Sequence, residues 1–422
     1  MKRILTITVF LFCLTALFAQ SAEKELNYYK QQISSTDRKH LSSLEWDLNS
    51  WLDRNYTLPI APDAMLIKAQ TEYNNRQYTA SYLTLLKYVY EYPNRSLPKD
   101  LTTKVINEFP TKQQTGMLQA VAPKNLPQLT EDRLNIYFSV ANKLNLKYSQ
   151  DPLLKDYAQF FARFPAYENN DKIELLLGDL YRNNGNPLAA LSKYDKVWQI
   201  YPSTKYRAAA LRMKGDIYAS ELKDYKLARE HYKRVLSDFP NSVEVPTVYK
   251  HWALLEESDK NFITAAENAQ KAYEGYLKND QKEEAFGALM FRAEVQENDL
   301  KNYNAAVETL KTAADILPDQ EQYYVEAKQK EAKIQAKKLK DNYAERAVME
   351  EISSHFPTTE NGVEALYRAG ELSESFGEVV KAKNQYNQVI LNRAHSKYAV
   401  KAQKRLSKIE KAVEKAKLKA EK

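Results

Sequence analysis

Prolines recur along this chain at a nearly constant step. Pro93, Pro127, Pro165, Pro202 and Pro240 are separated by 34, 38, 37 and 38 residues, and Pro318, Pro357 and Ala394 continue at 39 and 37. The remaining interval, from Pro240 to Pro318, is 78 residues, which is two steps. A helix does not run through an interior proline without losing a hydrogen bond and clashing with the turn before it. A step of this size marks one supersecondary unit that buries its apolar face only by stacking on the next copy. Nine glycines in 422 residues leave little for tight hairpin turns between strands, so the units are expected to be helical.

The stretch from Asp171 to Pro202, DKIELLLGDLYRNNGNPLAALSKYDKVWQIYP, shows the unit most clearly. Two helical patterns meet at Asn183-Asn184-Gly185-Asn186-Pro187, a stop-and-restart signal. Small residues, Gly178 and Ala190, and large ones, Tyr181 and Tyr194, fall where two antiparallel helices would touch. A small side chain on one helix makes room for a ring on the other.

Gly178, Tyr181, Ala190, Tyr194 and the closing Pro202 sit at the spacings of the tetratricopeptide repeat, and the unit resembles that family. Neighbouring stretches repeat the pattern. Tyr206 to Pro240 carries Gly215, Tyr218, Ala228 and Tyr232, and Val363 to Ala394 carries Gly370, Gly377, Ala382 and Tyr386. Asp63 to Pro93, Glu131 to Pro165, Thr247 to Leu277, Ala285 to Pro318 and Glu326 to Pro357 are weaker copies. Leu222-Lys-Asp-Tyr225 is echoed by Leu300-Lys-Asn-Tyr303. The resemblance implies an all-α solenoid, a right-handed superhelix of antiparallel hairpins. The expected organisation is an N-terminal helical pair over 20–60, an array over 61–395 with a degenerate unit near 98–130, and a basic capping helix and tail over 396–422.

The chain begins MKRILTITVFLFCLTALFAQSAEKE. A basic start, an apolar run from Ile4 to Phe18, and Ala19-Gln20 or Ala22 as cleavage points read as a secretory signal peptide over 1–19. That predicts export to the periplasm or beyond. The single cysteine, Cys13, lies inside the apolar run, without the small residues that a lipid-attachment site needs before it. Disulfide and thiol chemistry are therefore not expected in the mature chain.

Enzyme signatures are missing from the sequence: there is no glycine-rich phosphate loop and no Gly-x-Ser-x-Gly elbow. The five histidines are scattered among the units without metal-ligand spacing, so no metal or cofactor is expected. The carboxylate pairs Glu256-Glu257, Glu283-Glu284 and Glu350-Glu351 read as wet helix faces. Tyrosine is abundant, at 30. Tyr82, Tyr90, Tyr92 and Tyr367 are the rings that the repeat pattern forces least, and they are read as potential peptide anchors.

In the family the first helix of each hairpin lines the inner face. Carried over, that lining comprises Lys172, Asp179, Arg182, Arg212, Asp216, Lys250, Glu257, Glu294, Tyr367, Arg368, Glu371 and Glu374. Leu175 and Asp179 stand where the family's carboxylate clamp has Lys and Asn, a departure from that clamp.

The formal net charge is +7. Residues 396–422 hold ten Lys/Arg against three Glu, a net of +7. This stretch is either a solvated face or an electrostatic contact with anionic membrane or cell wall. With export, nucleic acid is not an expected partner. The function read here is a non-enzymatic exported scaffold binding envelope proteins or peptides. The alternative is a glycan-binding module associated with a cell-wall enzyme.

Overall fold

The structure, a computed structural model, describes residues 19–420, with side chains through 415. The signal peptide read from 1–19 lies, apart from Ala19, outside the described residues. Among the described residues the chain is helix and turn with no strand. Two compact units divide it, Met1–Ala210 and Leu211–Lys422.

In the first unit the helices are α1 (19–32), α2 (Arg38–Asn55), α3 (Ala61–Asn74), α4 (Tyr78–Glu91), α5 (Lys99–Asn107), α6 (Thr111–Ala120), α7 (Thr130–Leu144), α8 (Gln150–Arg163), α9 (Asn170–Asn183) and α10 (Pro187–Ile200). The unit boundary falls within α11 (Arg207–Ser220). The second unit continues with α12 (Tyr225–Asp238), α13 (Val245–Ser258), α14 (Phe262–Lys278), α15 (Lys282–Asn298), α16 (Tyr303–Ala314), α17 (Glu321–Ile334), α18 (Asn342–His355), α19 (Glu360–Ser375), α20 (Val379–Asn392) and α21 (Lys397–Ala420). One π-helical turn, Gln335–Leu339, extends α17.

Four of the hairpin turns share one chemistry. A residue with left-handed backbone ends the first helix, and an Asn or Asp then caps the second. Gly185 has φ 74°, Lys223 56°, Lys301 53° and Lys340 61°. Asn186, Asp224, Asn302 and Asp341 follow them and accept hydrogen bonds from the backbone N–H of Ala189, Leu227, Ala305 and Ala344. The left-handed residue stops one helix and the side-chain cap satisfies a free N–H of the next. This is why the Leu-Lys-Asp/Asn-Tyr echo marks turns.

Tyrosines pack the hairpins. A Cβ added at Gly178 would collide with the Tyr194 ring; at Gly215 it would lie 2.6 Å from Tyr232, and at Gly370 2.6 Å from Tyr386. All three rings are buried, as the small-against-large pattern predicts. Each phenol donates to a carboxylate of the paired helix: Tyr194 to Asp179 at 2.6 Å, Tyr232 to Asp216 at 2.8 Å, and Tyr386 to Glu374 at 2.9 Å. A buried hydroxyl is thereby satisfied, which leaving it unpaired would make costly.

In the first unit α5 and α6 are short and α4 packs on α7 directly. Tyr82 and Tyr90 fill the space between, donating to the carbonyls of Met117 at 3.0 Å and Ala120 at 3.3 Å. They are buried core residues, so the reading of these two rings as peptide anchors is corrected. At the N-terminus Ala22, Leu26 and Tyr29 of α1 pack on Leu44, Leu48 and Trp51 of α2. Trp51 Nε1 donates to the Ala22 carbonyl at 3.1 Å.

Candidate functional site

A groove of about 810 Å³ lies in the second unit among α17, its π-helical extension, α18, α19 and α21. Its apolar lining comes from Ala332, Ala336, Met349 and Ala365. The π turn, in which the Lys340 N–H reaches back to the Gln335 carbonyl, contributes Ala336 and Lys337 to the lining. Such single turns recur where a helix must present side chains out of its regular register.

Three of the twelve residues assigned to partner binding meet in this groove: Tyr367, Arg368 and Glu371. Tyr367 is largely buried between Tyr386 and Tyr398, with ring centroids 5.7 and 5.8 Å away. Arg368 pairs with Glu345 at 2.9 Å and with Glu371 at 3.5 Å, and Arg405 reaches Glu371 at 3.4 Å. Glu374 is held by Tyr386 and by Arg405 at 3.6 Å. Glu345 and Glu371 are thus engaged by arginines, while Glu364, exposed on the same wall, takes the Tyr398 hydroxyl. Three lysines that line it, Lys333, Lys337 and Lys401, meet no carboxylate. The sequence reading did not single them out, because it took α21 as a cap and did not foresee the π turn. Lys333 and Lys337, four residues apart, were the available signal.

The other nine residues do not join this groove. Asp216 is a core partner. It accepts from Tyr232, from Arg212 at 2.6 Å, and bonds His251 Nδ1 at 2.6 Å. Burial pushes its carboxyl up, but the bonds and charges of His251, Arg212 and Tyr232 outweigh it and hold the pKa below the ordinary aspartate value. Arg212 also binds Glu244 at 2.6 Å. Asp179 is the partner of Tyr194, and Arg182 lies half-buried on the same helix. Lys172 is half-buried, and burial, with Lys205 nearby, lowers its pKa. Lys250 is exposed. Burial raises the Glu257 carboxyl, with Asp299 and Glu294 adding to the effect. Glu294 is exposed and pairs with Lys330 at 2.6 Å.

The first unit holds a site that the sequence did not reveal. Two cavities of about 410 and 470 Å³ adjoin beneath α8, sharing Asn49, Lys68, Thr84, Asp156 and Gln159 in their walls. Lys87 of α4 donates to Asp156 at 2.7 Å and Gln159 at 2.8 Å, Gln159 donates to Asp53 of α2 at 2.7 Å, and Arg163 pairs with Glu91 at 2.6 Å. These bonds clasp α8 onto α2 and α4. Burial pushes the Glu72 carboxyl up against the pull of Lys68. A raised carboxylate beside a cavity is also what a catalytic acid would show. Both Glu72 oxygens are occupied here, one by Lys68 at 2.9 Å and the other by the Thr84 hydroxyl at 2.7 Å, so the geometry is that of a structural ion pair.

Of the tryptophans, Trp51 is buried, Trp198 is covered by the Arg207 guanidinium at 3.9 Å, Trp252 donates to Glu256 at 2.6 Å, and Trp46 is 71% exposed. Tyr92 is half-buried and tilted against Tyr88. Among the described residues no group of His, Cys, Asp and Glu is arranged to hold a metal ion, and no helix is long and apolar enough to cross a membrane.

Residues 209–242 match the family model of the tetratricopeptide repeat. Solved structures similar to this chain include a Rap protein complexed with competence and sporulation factor, at 12% identity, covering 93% of this chain and 99% of that one with a TM-score of 0.38. A tetratricopeptide repeat protein from Parabacteroides merdae is 15% identical, covering 60% and 90% at 0.33. The TPR domain of P58(IPK) is 13% identical, covering 94% and 99% at 0.28. No curated protein matches the chain.

Proposed function

We propose that this tetratricopeptide-repeat protein is an exported scaffold that holds another envelope polypeptide and catalyses no reaction. Hairpin repeats of this family bind other proteins or peptides. The observation that carries the assignment of a place is the groove of the second unit, with its apolar lining and the lysines Lys333, Lys337 and Lys401 along it. A preformed groove of this kind takes a segment without itself being ordered, which lowers the cost of binding. Export rests on the basic start, apolar run and small-residue cleavage points of residues 1–19. On this reading the scaffold serves in an outer-membrane or cell-envelope assembly.

The glycan-binding reading keeps one supporting feature, the exposed ring of Trp46. Glu256, the carboxylate beside Trp252, is already engaged by Arg229. Tagged protein recovered from the native envelope, set against binding to purified cell wall, separates the two. The scaffold reading expects specific envelope polypeptides and no retention on the wall. Retention on the wall that Trp46→Ala abolishes would replace it.

A further inference from the structure

Six of the lysines of helix α21, at positions 397, 401, 404, 408, 411 and 415, follow a helical step. The steps are four, three, four, three and four residues. At 100° per residue they fall within an arc of roughly 80° over about 27 Å of helix. All six are exposed. No carboxylate among the described residues neutralises them; Lys397 and Lys401 contact only tyrosine rings, at 4.7 Å for Lys397 over Tyr398 and 5.1 Å for Lys401 over the same ring. The apolar stripe of the helix, Tyr398, Ala402, Leu406 and Ile409, is buried against α19 and α20 on another side. Glu410 and Glu414 lie off the lysine arc.

An ordinary solvated helix intersperses both signs and gains from pairs three or four residues apart. Here the lysines' neighbours three and four residues away are mostly like charges, Glu414 beside Lys411 being the exception, and like-charge pairs cost stability. A row of this kind is an arrangement for an external anion. It also runs into the groove: Lys401 is a member of the stripe and, with Lys333 and Lys337, of the groove lining. We infer that the lysine stripe of α21 and the groove it enters form one track for an acidic, extended polypeptide segment of the partner. This rests on the scaffold reading and specifies the chemistry of what is held.

Three kinds of polyanion compete for such a track, and two fit it less well. A bilayer is flat and does not reach lysines inside a groove, and the apolar stripe that would enter it is already buried. A nucleic acid brings phosphates but no aliphatic side chains for Ala332, Ala336, Met349 and Ala365 to cover. An extended peptide rising about 3.3 Å per residue places about eight residues along the stripe and supplies acidic and apolar side chains in alternation.

The test uses the full chain and a fluorescent twelve-residue peptide alternating Glu with Ala or Val, with the Gln version as control. Anisotropy titration is expected to show the Glu peptide binding at least tenfold more tightly than the Gln peptide. Raising salt from 50 to 500 mM should weaken it at least tenfold, as screening requires. K404E/K408E/K411E and, separately, K333E/K337E should each weaken it at least tenfold while leaving the thermal midpoint unchanged. K417Q/K419Q/K422Q should bind as the parent does. Equal binding of the Glu and Gln peptides overturns the inference, as does binding removed by the tail variant or untouched by either groove or stripe variant. Tighter binding of phosphatidylglycerol vesicles, or of a twelve-nucleotide single strand, overturns the partner class. A native polypeptide crosslinked in the groove of K404E/K408E/K411E as efficiently as in the parent sinks this inference and leaves the scaffold reading standing. Loss of all groove crosslinking in the parent sinks both.

Discussion

At the scale of the residue, one device recurs: a glycine, a ring laid over it, and a carboxylate that accepts the phenol's hydrogen bond. Gly178, Tyr194 and Asp179 show it, and Gly215, Tyr232 and Asp216 repeat it 37 or 38 positions later. Gly178→Leu overpacks that contact and is expected to cost on the order of 1–3 kcal/mol or more in urea unfolding. Asp216→Asn leaves Arg212 and His251 facing a neutral amide and should cost about 3 kcal/mol at neutral pH. Its folded pKa is depressed, so its contribution is present above the ordinary value of 3.8 and is lost as pH falls through the folded value below that. Denaturation of parent and Asp216→Asn protein at pH 6 and at pH 3 should therefore show the gap closing on the acid side. The glycine and its ring were legible in the sequence because their spacing is a packing rule. The second half of the device was not: Asp179 and Asp216 were read as partner-facing, since a carboxylate beside a glycine looks solvent-bound until the tyrosine is seen to reach it.

At the scale of the element, turn chemistry was the legible part. Asn183 to Pro187 and the two Leu-Lys-Asp/Asn-Tyr stretches delimit helices because a left-handed residue and a capping side chain leave the chain no other course. Lys301 sits at φ 53° where glycine meets no steric penalty. Lys301→Gly should raise stability by about 1 kcal/mol, measured by chemical denaturation. The π turn after α17 was not legible, because a lysine-rich helix end carries no mark of an inserted residue. The start of α1 bears on processing. Ala22 is buried and its carbonyl holds Trp51 Nε1. Loss of Ala22 would orphan that indole, so the packing favours a chain that retains Ala22. Mass spectrometry of the protein from its native cells should find Ala22 retained, and Trp51→Phe should be tolerated better in a chain that lacks it.

At the scale of the whole molecule, the recurring prolines made the helical repeat readable before any coordinate. The division at residue 210 was not readable, since the step of the repeat runs on through it. The clasp in the first unit was hidden for a related reason. Lys87 and Asp156 are 69 positions apart, and Gln159 and Asp53 are 106 apart, and periodicity says nothing about which distant charges meet. The groove of the second unit was half legible: Tyr367, Arg368 and Glu371 were assigned to partner binding, while the lysines opposite them were not. The central claim, that this groove holds another polypeptide, is met most directly by placing a photocrosslinking amino acid at Met349, inside the groove, and at exposed Leu391 as control, in the native cells. The account expects one or a few defined polypeptides attached at position 349 and none of them at 391. Equal labelling at both positions, or none at 349, would contradict it.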